Sequence, residues 1–223
     1  YLLSLFVYIV IVNAFSLIDG IDGLAGGIGV IISGFFGAVF LFWGDVPLAL
    51  LAFVLCGALL GFLVFNFSPA RIFMGDSGSL VVGAIICVLA ISVINLPELI
   101  NGKTLTNIVV PGWLASVNKP VLVMSILVYP LIDTIRVFTI RAIKGTSPFL
   151  ADRNHIHHRL IFLGLNHAKT VLTLYLYNII VVLSIVFINP KDPTMGLVVA
   201  VSIAFTLMAI PFLIKAKKAD NLT

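Results

Sequence analysis

The sequence predicts an all-α, multi-pass transmembrane helical bundle. Of its 223 residues, 61% are hydrophobic and 10% are charged, whereas soluble domains carry roughly 25% charged residues. The mean hydropathy is +1.22. Because backbone groups in lipid must be hydrogen-bonded internally, apolar segments of this kind favour helices over open sheets.

Seven apolar segments approach the roughly 18–20 residues that a membrane-spanning helix needs. They occupy about 1–17, 28–43, 48–65, 80–96, 121–139, 171–189 and 196–214, and the second is short. Seven such helices leave no room for a separate soluble domain. We therefore expect residues 1–223 to form a single transmembrane catalytic domain, with its site carried by the loops between the helices.

Alternation of seven spans collects three loops on one side, at about 18–27, 66–79 and 140–170, together with the C-terminus. Ten of the 13 Lys and Arg residues fall on or next to this side, and so do all four histidines. Cytoplasmic loops carry an excess of Lys and Arg, so this side is predicted to be cytoplasmic.

The first of these loops contains two carboxylates in the stretch "NAFSLIDGIDGLAGGIG". Asp19 and Asp22 are three residues apart, which puts them on one face of a helical turn. A glycine follows each aspartate, and glycine lets a ligand or another backbone come close. The pattern favours a functional site over a helix end with solvated aspartates.

The second loop, "FNFSPARIFMGDSGS", leaves one apolar segment and enters the next. Pro69 interrupts a continuous helix, and a Ser or Asp before Leu80 is predicted to cap the new helix. A helix N-terminus beside glycines suits a phosphate. A carboxylate there would repel the phosphate unless a divalent cation bridged the two, so Asp76 is predicted to be a Mg²⁺ ligand.

The third loop, "PFLADRNHIHHRL", contains three of the four histidines. No cysteine lies nearby, and the spacing differs from the four-residue separation of helical zinc ligands. Histidines flanked by Arg153 and Arg159 form a cationic cluster that suits a phosphate or diphosphate better than a metal. Upstream, Asp133 and Arg136 are spaced to pair on one helix face.

Taken in order, the motifs "NAFSLIDGIDGLAGG", "NFSPARIFMGDSGS" and "SPFLADRNHIHHRL" resemble those of the polyprenyl-phosphate N-acetylhexosamine-1-phosphate transferases. The resemblance covers the whole chain. The Asp-Arg-x-His-Ile-His-His-Arg form is similar to the branch that transfers N-acetylglucosamine-1-phosphate to undecaprenyl phosphate. The phospho-N-acetylmuramoyl-pentapeptide branch, which is the alternative, has a different histidine motif.

The resemblance implies an enzyme of the bacterial inner membrane with its active site on the cytoplasmic face. Its substrates would be UDP-N-acetylglucosamine and undecaprenyl phosphate, and its products undecaprenyl-diphospho-N-acetylglucosamine and UMP. Mg²⁺ is the implied cofactor, and Mn²⁺ could replace it. This reaction is the first membrane step in the synthesis of a cell-envelope polysaccharide or teichoic acid.

The resemblance also implies roles for individual residues. Those expected to act in catalysis are Asp19, Asp22, Asp76, His155, His157 and His158, with Asp76 holding the metal. Those expected to contact substrate are Asn13, Gly75, Ser79 and Arg153. Family members carry an adjacent aspartate pair further upstream, so the sequence, which starts at Tyr1, is expected to lack N-terminal helices of the enzyme.

Three other interpretations concern function and assembly. An intramembrane aspartyl protease would need two facing aspartates within the bilayer, and it would not depend on Mg²⁺. A transporter without enzymatic activity would place its ionisable residues near the midplane and show repeated halves. No nucleic-acid partner is expected, and the apolar helix faces suit either membrane lipid or a homodimer.

Overall fold

The computed structural model describes residues 2–99, 104, 108–145, 155–190 and 192–214. Within these ranges the chain is helical, which confirms the predicted fold class. The helices are α1 (Leu2–Leu17), α2 (Leu24–Trp43), α3 (Val46–Asn66), α4 (Gly75–Ile94), α5 (Gly112–Ala115), α6 (Lys119–Ile126), α7 (Val128–Ile143), α8 (Ile156–Phe162), α9 (His167–Ile188) and α10 (Pro193–Leu213).

The chain is a multi-pass membrane protein, but the predicted number of seven spans is slightly too high. Among the described residues, five helices are long and apolar enough to cross a membrane: α2, α3, α4, α9 and α10. The number rises to six if α6 and α7 form one bent span. Helix α1 is apolar but has only 16 residues.

Helices begin earlier than the hydropathy pattern predicted, and two of these starts lie at the site segments. Helix α2 starts at Leu24, and α4 starts at Gly75, so Asp76 and Ser79 lie in its first turns. The predicted loops therefore shrink to residues 18–23 and 67–74. The predicted Ser or Asp cap of α4 is wrong, because its N-cap residue is Met74 and no side chain caps it. Hydropathy misses the first turn of α4 because Asp76 and Ser77 are polar and exposed.

Helix α2 is the most enclosed of the long helices. Burial inside the bundle covers 67% of its most apolar stretch, against 22% for α3 and for α10. Its glycines allow close packing, as small residues commonly do in membrane bundles. The phenol of Tyr175 fills the space that a side chain at Gly27 would need, and its hydroxyl donates to the carbonyl of Gly23. Helix α9 is thereby tied to the start of α2.

The break between α6 and α7 bends the chain by 74°. Pro130 has no N–H, so it cannot donate to the carbonyl of Ile126 four residues earlier. The buried side chain of Asn178 in α9 replaces that bond, donating to Ile126 O at 3.2 Å. It also accepts from Tyr129 N at 3.2 Å. Broken helices are tolerated in membranes where protein groups pair the freed backbone in this way.

Replacing Asn178 with Leu is expected to destabilise the bundle. Each backbone group left buried and unpaired costs about 1–3 kcal/mol, and the change orphans one carbonyl and one N–H. The melting temperature of the purified protein in detergent would measure the loss. Thr173→Val is the matched control, because the Thr173 hydroxyl bonds only its own helix. Equal melting temperatures for the two variants would contradict the bridging role of Asn178.

Candidate active site

The three polar segments highlighted by the sequence meet at one end of the bundle. A Cβ atom at Gly20 would lie 3.0 Å from His157 Nε2, so the first segment packs directly on α8. The same segment contacts the second one, because Ala70 N donates to Asp22 Oδ2 at 3.1 Å. The turn that contains Asp22 therefore contacts both His157 and the second segment.

Asn66, at the end of α3, also joins the first two segments. Its Oδ1 accepts from Gly23 N at 3.0 Å, and its Nδ2 donates to Ile72 O at 2.8 Å. The side chain is buried. Asn66 was not among the predicted site residues. Its position at the end of an apolar segment, just before a proline-containing loop, could have indicated a structural role.

Asp19 is half-buried at the N-terminus of α4. Burial raises the pKa of its carboxyl to about 6, the backbone N–H of Gly75 opposes this shift, and the neighbouring charge of Asp76 adds to it. The carboxyl faces a cavity of about 260 Å³. Residues lining this cavity are Asp19, Gly20, Ile21, Asp22, Asn66, Phe73 and Gly75.

Asp76 is exposed in the first turn of α4. Its Oδ1 accepts a hydrogen bond from Ser16 Oγ at 3.3 Å, which connects α4 to the end of α1. Ser79 is buried, and its hydroxyl donates to the backbone carbonyl of Asp76 at 3.3 Å. Asn13 is exposed one turn before Ser16, and its Nδ2 donates to Ile9 O at 2.7 Å. Asn13 thus lies near the site but bonds its own helix.

The donor atoms in this corner fit a hard cation. Asp76 is close enough to Asp19 for its charge to raise the pKa of the Asp19 carboxyl. The hydroxyl of Ser16 is a third oxygen beside Asp76. Mg²⁺ in proteins is bound by oxygen ligands, with one or two carboxylates and the rest supplied by water and substrate phosphates. The residues present could hold Mg²⁺.

The three histidines form a stack at the start of α8. The rings of His155 and His157 are nearly parallel, with centroids 5.4 Å apart. The centroid of His158 lies 4.3 Å from that of His157. His157 is buried, and neither of its ring nitrogens has a hydrogen-bond partner in the described part of the chain. Burial lowers the pKa of His157 to about 4, so it is neutral at pH 7.

Asp133 organises this stack from α7. Its Oδ2 lies 2.8 Å from His155 Nδ1, and its Oδ1 accepts from Ile156 N at 3.0 Å. The spacing of Asp133 and Arg136 allowed a pair on one face of α7. The structure instead directs the carboxylate to α8, and the Arg136 guanidinium lies over the ring of Phe212. The sequence did indicate that Asp133 needs a partner, because it is a carboxylate inside an apolar segment.

The two arginines that flank the histidines differ in what the structure describes. Arg159 donates to Pro211 O at 3.1 Å and to Ile214 O at 2.9 Å, so it satisfies carbonyls at the end of α10. Arg153 falls within residues 146–154, outside the described residues. Its contact with substrate stays a prediction.

Fold and site together define a class: a multi-pass helical membrane protein that gathers carboxylates and histidines at one end of its bundle. The family model of glycosyl transferase family 4 matches residues 1–94, which include Asp19, Asp22 and Asp76. This match confirms the resemblance over residues 1–94, which carry the first two of the three motifs.

Three relatives illustrate the similarity. A decaprenyl-phosphate N-acetylglucosaminephosphotransferase of Mycolicibacterium smegmatis is 34% identical over 95% of this chain and 53% of its own length. A probable undecaprenyl-phosphate N-acetylglucosaminyl 1-phosphate transferase of Bacillus subtilis is 39% identical over 80% of this chain and 45% of its own length. The Escherichia coli undecaprenyl-phosphate alpha-N-acetylglucosaminyl 1-phosphate transferase is 32% identical, over 74% and 41% respectively. The chain spans about half the length of these relatives.

Acidification is expected to destabilise the protein through His157. Its pKa is about 6.5 when unfolded and about 4 when folded, so only the unfolded state binds the proton between those values. The contribution of His157 to stability is constant above about pH 7 and falls as the pH drops toward 4, by up to about 1.4 kcal/mol per pH unit. Below about pH 6 the raised pKa of Asp19 contributes in the opposite sense, so the contribution of His157 is measured as a difference between variants.

Melting temperatures at pH 7, 6 and 5 would measure this dependence. His157→Phe is expected to lose less stability over this range than the unsubstituted protein. His167→Phe is the control, because His167 is exposed at the start of α9 and its replacement is expected to keep the original slope. An unchanged slope in His157→Phe would contradict the assignment.

Proposed function

We propose that the protein transfers N-acetylglucosamine-1-phosphate from UDP-N-acetylglucosamine to undecaprenyl phosphate, releasing UMP. The observation that carries the proposal is the contact between Gly20 and His157, which puts the cavity lined by Asp19 and Asp22 next to the histidines of α8 at the end of an apolar bundle. The printed names of the relatives, which specify polyprenyl phosphates and N-acetylglucosamine, support the same substrates.

The location of the site suits a lipid-borne phosphate. The carrier's prenyl tail would lie among apolar helices while its phosphate reaches the polar end of the bundle. An oxygen of that phosphate attacks the β-phosphorus of the sugar nucleotide, and UMP leaves. Repulsion between the two anions is the main barrier, so groups that lower the local negative charge accelerate the reaction.

Two groups lower that repulsion in different ways. His158, which is half-exposed beside the buried His157, is able to donate a hydrogen bond to a diphosphate oxygen. Mg²⁺, or Mn²⁺ in its place, held by Asp76 with Asp19 and Ser16, would supply positive charge to the diphosphate when bound.

The membrane location follows from the same proposal. Ten of 13 Lys and Arg residues fall on or next to the side of the three site segments, which favours the cytoplasmic face of the bacterial inner membrane. Sugar nucleotides are made in the cytoplasm, so a cytoplasmic site gives the enzyme its donor. The product would serve as the lipid-linked start of a cell-envelope polymer.

Asp76→Asn is expected to lower kcat for UMP release by roughly 100-fold or more, because it removes a charge that would hold the metal. The assay would use the protein expressed from its complete gene, in detergent with undecaprenyl phosphate, UDP-N-acetylglucosamine and Mg²⁺. Asp45→Asn is the matched control. Asp45 caps the N-terminus of α3, whereas the site lies at the C-terminus of that helix, and asparagine caps a helix equally well. Similar rates for both variants, or release that is independent of Mg²⁺, would refute the metal assignment.

Gly20→Ala is expected to reduce turnover with little effect on the melting temperature. The added methyl group would lie 3.0 Å from His157 Nε2, so the imidazole must move away from the aspartate turn. Gly57→Ala in α3 is the control, because no atom lies within 4 Å of the added Cβ there. Equal kcat values for Gly20→Ala and Gly57→Ala would show that this contact has no part in the reaction.

A further inference from the structure

We propose that Asp133 is a positioning residue that fixes His155 with its Nδ1 proton directed at the carboxylate, so that Nε2, once protonated, donates to a phosphate oxygen of the substrate. The identity of that ligand rests on the proposed function. The arrangement of Asp133, His155 and α8 does not, and it can be tested separately.

The hydrogen bonds of Asp133 assign the proton. Its Oδ1 accepts from the backbone N–H of Ile156 at 3.0 Å, and a backbone N–H can only donate. Its Oδ2 lies 2.8 Å from His155 Nδ1. An ionised carboxylate has no hydrogen to give, so Nδ1 must carry the proton in this pair. The exposed fraction of the side chain is 1% for Asp133 and 8% for His155, so water does not compete for the bond.

The environment of His155 indicates what its other nitrogen meets. His155 lines a cavity of about 480 Å³ together with Arg136, His158 and Arg159. Among the described residues that line this cavity there is no carboxylate. A cavity lined by two guanidinium groups and two imidazoles favours an anion. If His155 takes up a second proton, Asp133 turns the buried cation into an ion pair, and Nε2–H then donates to phosphate.

Asp133 also affects His157 through ring stacking. The His157 ring lies nearly parallel to that of His155, at an interplanar angle of 11°. On its other side, His157 Nε2 approaches Gly20. A change in the orientation of His155 would therefore shift His157, and with it the turn that holds Asp19 and Asp22.

A metal centre is the competing interpretation of these groups. Donor atoms of Asp133, His155 and His157 all lie within 4.8 Å of one another. Two ligands of a Zn²⁺ ion, each about 2.0–2.2 Å from it, are separated by roughly 3–3.5 Å. The 2.8 Å between Asp133 Oδ2 and His155 Nδ1 is a hydrogen-bond distance. Because Oδ1 accepts from Ile156 N, each carboxylate oxygen has a hydrogen-bond partner without an ion.

The test compares Asp133→Asn with Asp133→Glu and with Thr134→Val. Asparagine keeps the shape but has one acceptor and one donor group, so it cannot accept from both Ile156 N and His155 Nδ1. Glutamate restores both acceptors. Thr134 is the matched control, because it is the next residue of α7, is buried, and its hydroxyl has no hydrogen-bond partner in the described part of the chain.

The direct readout is the ¹⁵N NMR spectrum of the protein from its complete gene, labelled at histidine and held in detergent micelles. The 223 residues contribute four histidines, and His155→Gln assigns the signal of His155. We expect the Nδ1–H tautomer or the imidazolium for His155 in the unsubstituted protein and in Thr134→Val. In Asp133→Asn we expect a shift toward the Nε2–H tautomer. We also expect kcat to fall about 10-fold or more with a smaller change in KM, and Asp133→Glu to recover part of it.

Three outcomes would overturn the proposal. The first is an Nε2–H tautomer of His155 in the unsubstituted protein, which does not depend on whether an Asp133 variant folds. The second is an unchanged His155 spectrum in a folded Asp133→Asn protein. The third is stoichiometric zinc in the unsubstituted protein that is lost in Asp133→Asn. If UMP is not released with any donor while the tautomer result holds, the proposed function fails and the positioning role remains.

Discussion

The arrangement of the site depends on one buried carboxylate. Asp133 lies in α7 with its side chain enclosed by protein, and a buried charge without partners would cost several kcal/mol. It finds those partners in His155 and in the first backbone N–H of α8. Helix α8 is therefore held against α7, and the histidines that precede and begin it are turned toward the rest of the site.

The remaining parts of the site are held by backbone groups and small residues. Gly20 permits the close approach of His157, and Asn66 bonds both the aspartate turn and the following loop. The N–H of Gly75 at the start of α4 bonds Asp19. A carboxylate at a helix N-terminus is stabilised there, and an anionic substrate that approached the same end would need a compensating cation. The same arrangement thus accounts for the fold of the turn and is what the proposed Mg²⁺ site would require.

Much of this could be predicted from the sequence, and the exceptions have physical reasons. Hydropathy predicted the helices, and the glycine-flanked aspartates and clustered histidines predicted which segments would meet. Hydropathy could not predict that α4 starts at Gly75, because exposed polar residues in the first turn of a helix have the composition of a loop. It did not show that Pro130 and Asn178 together make a satisfied bend. The partner of Asp133 was missed because spacing within one helix suggested Arg136, whereas His155 lies 22 residues away.

The central claim is that the aspartate turn and the histidine stack form one site for a diphosphate. A cryo-EM structure of the full-length protein with UDP-N-acetylglucosamine and Mg²⁺ tests it most directly. We predict density for the diphosphate between Asp76 and the histidines of α8, within hydrogen-bonding distance of at least one imidazole. A nucleotide bound elsewhere, with no contact to the Asp19–Asp22 turn or to α8, would contradict it.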